Sequence, residues 1–283
     1  MYFCENSDFE IYTDLACERR RADESLPDVN YRRERCSVGT WEKIEITGEA
    51  GAASIGRPVG FYDTLLLDRF DLLDGASTEI SKDELAHELI SMLEKIKCDV
   101  KRLLIVGLGN ASLTPDALGA QTASLINPTL HIKSIDENTF RSLGCAEIAV
   151  IKPGVGSESG LDAKDTVKGI CDRIHPDAVI AIDALAAKAP ERLGTTIQLS
   201  STGIIPGGGL GSPRGAISID TVGVPVISIG VPTVMDARFF LCDDLKRTEG
   251  RSAMFVSPKE INEIVDVGAD IIADGINRAF GIG

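Results

Sequence analysis

The chain of 283 residues is 43% hydrophobic and 25% charged, enough to bury a full core in one large domain or two small ones. Its formal net charge of −14 provides no basic field, which argues against sequence-independent binding to nucleic acid or to an anionic membrane and favours basic partners. No apolar run reaches the roughly 18 residues of a membrane span. The opening MYFCENSDFEIY shows neither a basic leader nor a hydrophobic signal core, and the seven cysteines form no CxxC pair, so a cytoplasmic, reducing setting without structural zinc is expected.

Residues 1–80 combine an acidic head, the basic cluster CERRRADE and the strand-like TWEKIEIT and FYDTLLL, and read as a smaller N-terminal α+β flank. At Ser81 the pattern changes. Glu84 stands three residues after a good N-cap, and Leu85, Leu89, Met92, Leu93 and Ile96 follow at helical spacing, which predicts an amphipathic helix starting there. Strands are then predicted at RLLIVGLG (102–109), LHIKSI (130–135), AEIAVI (146–151), AVIAID (178–183), TTIQLS (195–200) and PVISIG (225–230). Short apolar runs spaced by helices imply an α/β fold, a mainly parallel twisted sheet flanked by helices. SSTGIIPGGGLGSPRG (200–215) is one long Gly/Pro/Ser-rich loop, either an ordinary surface loop or the border of an active site.

Within GLGNASLTPDALG (107–119), Gly107 and Gly109 fit the first two glycines of a dinucleotide fingerprint, while Ser112 takes the third position. Asp136 follows the next predicted strand, as a ribose-binding carboxylate would. Against this, Thr114 as N-cap and Pro115 at the first helical position put Asp116 in a first helical turn, where its charge opposes a phosphate. Alone, Asp116 is explained by the helix dipole. A second acid, Asp183, ends the strand AVIAID ahead of an ALAA run read as helical. Both acids then lie just past strand ends, where open α/β sheets place their crevice. Two carboxylates in one cleft share a proton and can activate water against an amide, although a helix cap also accounts for Asp183. His87, His131 and His175 are dispersed, and no Gly-x-Ser-x-Gly, HExxH or complete Walker loop is present.

The blocks LLIVGLGNASLTPDALG, AVIAIDALAAKAPERLGTTIQLSSTGIIPGGGLGSPRGAIS, GVPVISIGVPTVMDA and VSPKEIN occur in order. Together they resemble the germination protease family of spore-forming bacteria, endopeptidases that degrade small acid-soluble spore proteins, and the resemblance runs from Thr13 to the C-terminus. It implies an α/β core similar to the hydrogenase-maturation endopeptidases and a catalytic pair, Asp116 and Asp183. It also implies a zymogen that removes its own N-terminal segment. In TDLA (13–16) an acidic residue, a large apolar one and alanine match the family's substrate pattern of Glu, then Phe or Ile, then Ala. Cleavage is expected between Asp14 and Leu15, leaving 1–14 as propeptide and 15–283 as a single peptidase domain, with 15–80 as its flank. Thr13 and Asp14 also suit a helix cap.

The resemblance further implies a homotetramer in the spore core, small acid-soluble spore proteins as substrates, and neither cofactor nor metal. Backbone amides of Gly207, Gly208, Gly209 and Gly211 are candidate oxyanion or substrate-loop donors. Three alternatives stay open: a dinucleotide-binding protein using GLGNAS and Asp136, a metal-assisted peptidase of the maturation type, and a non-catalytic relative that binds basic or unfolded spore proteins. Two departures from the family stand out. Only residues 238–255 separate VPTVMDA from VSPKEIN, where many relatives carry a longer insertion, and Ile205 stands where relatives often have histidine.

Overall fold

The computed structural model describes residues 13–19, 26–208, 215–240 and 254–282. An antiparallel meander comes first: β1 (Val29–Arg35), β2 (Thr40–Ile46) and, after helix α1 (Glu49–Ile55), β3 (Gly60–Leu66). Helix α2 (Gly75–Lys95) leads into β4 (Arg102–Gly107); α3 (Leu118–Leu125), α4 (Leu130–Ile135) and α5 (Glu137–Leu143) precede β5 (Glu147–Ile151). Then follow α6 (Gly156–Ser159), α7 (Ala163–Ile174), β6 (Ala178–Ala187), β7 (Thr196–Ser200), α8 (Ile219–Val222), β8 (Val226–Asp236), β9 (Phe255–Val256) and α9 (Ile261–Ala279).

All the strands join one sheet in the order β1-β2-β3-β7-β8-β6-β4-β5, with β9 on β8. The expected α/β sheet flanked by helices is present. Its parallel part is β5-β4-β6-β8, and the remaining pairings are antiparallel. The N-terminal flank contributes β1 to β3 to this same sheet.

The central strands read as continuous apolar runs because both of their faces are covered. Alternation sends Leu103, Ile105, Ile180, Ile182 and Ile229 to one face, against Leu85, Leu89 and Met92 of α2, Leu118 of α3 and Ile264, Ile272 and Ile276 of α9. Leu104, Val106, Val179 and Ala181 go to the other, against Val167 and Cys171 of α7 and Val222 of α8.

Three local expectations are corrected. LHIKSI is helix α4, not a strand: Thr129 meets β5 through its amide and hydroxyl, and the chain then coils, burying none of those six residues. A short run with one or two apolar positions per turn does not distinguish the two periods. Helix α2 starts at Gly75, capped by the Asp74 carboxylate on the Ser77 amide, so Ser81 is a buried interior residue whose hydroxyl donates to the Ser77 carbonyl. ALAA (184–187) is not helical but the end of β6, held extended by pairing with β8 as far as Ala187↔Met235, with a bulge after Leu185. Here tertiary pairing overrides the helical preference of alanine.

Two glycines let α3 pack backbone-to-backbone on the ends of β4 and β6. A Cβ on Gly119 would lie 2.2 Å from the Ile182 carbonyl oxygen, and one on Gly107 would lie 2.3 Å from that of Gly119. Gly119→Ala is therefore expected to lower stability by about 3 kcal/mol through overpacking, measured from the urea unfolding midpoint. A change below about 0.5 kcal/mol, the range of an ordinary surface substitution, would contradict this packing.

Candidate active site

β6 runs on where β4 stops. The β4–β6 ladder ends at Gly107↔Ile182, and the Leu108 amide takes the Ile182 carbonyl at 2.8 Å. Beyond that point, among the described residues, β8 is the one strand that stays paired with β6, with Asp183 opposite Gly230. The β4 chain turns away at Gly109, which sits in the left-handed region (φ 89) so close to Asp116 that a Cβ would lie 2.0 Å from the Asp116 carbonyl oxygen. It then forms a 3-10 turn at Thr114–Asp116, tied to β8 by the Thr233 hydroxyl donating to the Pro115 carbonyl at 2.6 Å. Asp116 thus precedes α3 instead of lying in its first turn, and its Oδ2 accepts the Asn110 amide at 2.8 Å.

That bond answers the dinucleotide reading. The loop amide that a phosphate would use is taken by a carboxylate. Asp136, meanwhile, follows a helix and caps α5 through the Asn138 and Thr139 amides and the Thr139 hydroxyl. Two of the three glycines and the acid of the fingerprint are present, but neither the loop nor the acid is built for a nucleotide.

Asp183 is 3% exposed. Burial, then the charges of Asp116 and Asp14, push its carboxyl well above the ordinary carboxylate range, and the amides of Ala184 and Gly207 offset this only in part. The structure thus brings Asp116, Asp183 and Asp14 into one electrostatic neighbourhood.

Asp14 arrives with the segment Thr13–Ala16, which bonds the end of β6 at Ala186 and reaches across to Gln198 of β7. The Asp14 amide donates to the Ala186 carbonyl at 2.9 Å, and its Oδ2 accepts the Ala186 amide at 2.9 Å. Leu15 is fully buried against Leu185 and Ala187, with Leu193 and Ile204 beside them. Ala16, also fully buried, packs among Ile44, Ile46, Ile55 and Tyr62. Arg57 donates to the Thr13 carbonyl at 2.7 Å and stands 3.9 Å from Asp14 Oδ1. On β7, Gln198 donates from Nε2 to the Asp14 carbonyl at 3.1 Å and accepts the Ala16 amide at 2.8 Å. The helix expected near Leu15 is a 3-10 turn, Ala16–Arg19, entered through the Thr13 hydroxyl accepting the Leu15 amide. Beside this segment lies a cavity of about 240 Å³, lined by Asp14, Arg57, Gln198, Ile205, Gly208 and Ser228 among others.

In the glycine loop the Gly207 amide faces the Asp183 carboxyl, the Gly208 amide donates to the Ile205 carbonyl at 2.8 Å, and Gly208 lines the same cavity as Asp14. Gly209 and Gly211 lie outside the described residues. His87 is on α2, His131 on α4, and His175 closes α7. Among the described residues no three His, Cys, Asp or Glu side chains are grouped to hold a metal ion, and no helix is long and apolar enough to cross a membrane. Sequence reading missed Gln198 and Arg57. The one available signal was a glutamine between the apolar Ile197 and Leu199 of TTIQLS.

The family model described as germination protease matches residues 9–248. The chain belongs to the germination protease family. The germination protease of Caldanaerobacter subterraneus subsp. tengcongensis is 35% identical, across 95% of this chain and 94% of its own. That of Clostridium perfringens (strain ATCC 13124) is 31% identical across 96% and 95%. The Priestia megaterium protein is 38% identical across 82% of this chain but 65% of its own length. Among solved structures, the [NiFe] hydrogenase maturation protease HycI from Thermococcus kodakarensis KOD1 aligns with 65% of this chain and 98% of its own, at 20% identity and a TM-score of 0.34. Membership makes this chain a hydrolase of peptide bonds, a spore germination endopeptidase by family.

The buried acid sets a signed pH dependence. Because the folded chain holds the Asp183 proton to higher pH than the unfolded chain does, the group's contribution to stability is complete below the unfolded value of 3.8 and is lost as pH rises through the raised folded value. Asp183→Asn should therefore gain Tm relative to the parent as pH is raised from about 4 to about 8, with little difference at the acid end. A Tm difference that is constant or shrinks with pH would contradict the assignment.

Proposed function

We propose that this cleft hydrolyses the peptide bond after an acidic residue followed by Phe, Ile or Leu and then Ala, and that the chain is a zymogen whose first substrate is its own Asp14–Leu15 bond. The observation that carries this reading is the seating of Thr13–Ala16. Its acid lies beside Asp183 and Arg57, its large apolar residue fills a closed apolar site, and its alanine fills the next. On this reading residues 1–14 are the propeptide and 15–283 the peptidase domain. Small acid-soluble spore proteins in the spore core are the later substrates, and the assembly is a homotetramer, as the family resemblance implies.

Chemically, Asp183 keeps a proton that burial and neighbouring carboxylates hold on it, and the half-buried Asp116 acts as base. A water between them loses its proton to Asp116 as its oxygen adds to the scissile carbonyl carbon. On collapse the C–N bond breaks and the leaving nitrogen takes the proton from Asp183. Leu15 and Ala16 must then vacate their sites before another chain enters.

The test is mass spectrometry of a peptide containing Thr-Glu-Ile-Ala, incubated with protein beginning at Leu15. Cutting after the glutamate is expected, and Asp116→Asn and Asp183→Asn, shown to be folded, should each lower the rate by about 10³-fold or more. An inert folded parent, or two asparagine variants as fast as the parent, would overturn the reading.

A further inference from the structure

We infer that Gln198 is a catalytic residue of this protease, the side chain that polarises the scissile carbonyl and receives the oxyanion. The inference rests on the reading of Asp14–Leu15 as the scissile bond and adds the group that stabilises its transition state. Three observations support it.

The first is position in the sheet. Asp183 pairs with Gly230 across β6–β8, and Gln198 pairs with the same Gly230 across β8–β7. In-register partners project to one face, so Asp183 and Gln198 flank Gly230, two strand spacings or about 9–10 Å apart along the hydrogen-bonding direction. Glycine between them adds no side chain of its own. Proton donor and carbonyl donor therefore stand on either side of the strip that the docked peptide crosses.

The second is the bonding of the amide. Among the described residues, both hydrogen bonds of the Gln198 side chain go to the docked segment, one on each side of the Asp14–Leu15 bond. The Ala16 amide can only donate, so Oε1 must face it, which turns Nε2–H toward the Asp14 carbonyl. The third is burial. Gln198 is 6% exposed with the segment in place, its in-register neighbours are Thr64 and Gly230, and it is the docked main chain that meets its amide. A glutamine kept there is a receptor for main chain, and a donor in so dry a site strengthens as the carbonyl oxygen gains charge.

In the step itself, the carbonyl π pair moves onto oxygen as water adds, Gln198 Nε2–H stabilises that charge, and the pair returns when the C–N bond breaks. Gln198 gains and loses no proton. The glycine amides are not needed for this, which agrees with Gly207 facing Asp183.

Self-cleavage of the full chain is the cleanest test, because the peptide is already seated and no substrate-binding step intervenes. The variants are Gln198→Met, similar in volume but without the amide, and Gln198→Glu, which keeps an acceptor for the Ala16 amide but loses the donor. Asp183→Asn runs beside them. Hydrogen exchange at the Asp14 and Ala16 amides reports whether the segment stays docked. With the parent cutting after Asp14 and Asp183→Asn silent, both Gln198 variants should cut about 10²- to 10³-fold more slowly, with the Asp14 amide still protected. Variants cutting within a few-fold of the parent overturn the role of Gln198 and leave the proposed function standing. Slow cutting with protection lost makes Gln198 a docking residue only, which also overturns the inference. A parent that never cuts after Asp14 removes the underlying reading and this inference with it.

Discussion

β6 is longer than its neighbour β4, and the site follows from that mismatch. Past Ile182 one edge of β6 has backbone donors and acceptors with no strand to meet them. Unpaired polar backbone inside a protein is destabilising, so something must fill the edge. Here Asp14 of the chain's own N-terminal segment does so at Ala186, satisfying both its amide and its carbonyl. A peptide-binding groove is the natural product of a sheet whose central strand outlasts the one beside it, and an extended chain with an acid at this position can offer the same bonds, one from its main chain and one from its carboxylate.

On the proposed function, specificity and self-inhibition have the same physical source. Full burial of a leucine is worth roughly 1.5–3 kcal/mol, and Leu15 is completely enclosed at the apolar site next to the acid. The contacts that would select a large apolar residue after the scissile bond also hold the chain's own leucine there. Glu18 anchors the segment further through the amides of Lys188 and Ala189, at 2.7 and 2.8 Å. Cutting Asp14–Leu15 removes none of these downstream contacts, so release after cleavage is a separate event with its own barrier. The electrostatics carry the same coupling, because Asp14 contributes to the charge that keeps Asp183 protonated.

Much of this was legible in the sequence wherever the signal was local. RLLIVG, AVIAID and PVISIG read as buried strands because strands covered on both faces are near-continuous apolar runs, and Leu85, Leu89 and Met92 read as a helix face. Asp116 and Asp183 were read together as two acids of one cleft, while the Asp14–Leu15 pair was read as a separate feature. What failed was either ambiguous or non-local. Ser81 with Glu84 imitates a capping box inside a helix already begun at Asp74, and LHIKSI imitates a strand. Asp183 was located by a strand end that is not there; the strand that ends is β4. The row Asp183–Gly230–Gln198 depends on strand order and on an antiparallel β7, neither of which any one segment encodes.

The central claim is that Asp116 and Asp183 form one titrating unit with the proton on Asp183. It is tested most directly by carboxyl-carbon NMR titration of the folded chain, with assignments fixed by Asp116→Asn and Asp183→Asn. The account requires Asp183 to titrate well above the ordinary carboxylate range and to move down when Asp116 loses its charge. An Asp183 that titrates like a solvent-exposed aspartate, or that ignores Asp116→Asn, would contradict it.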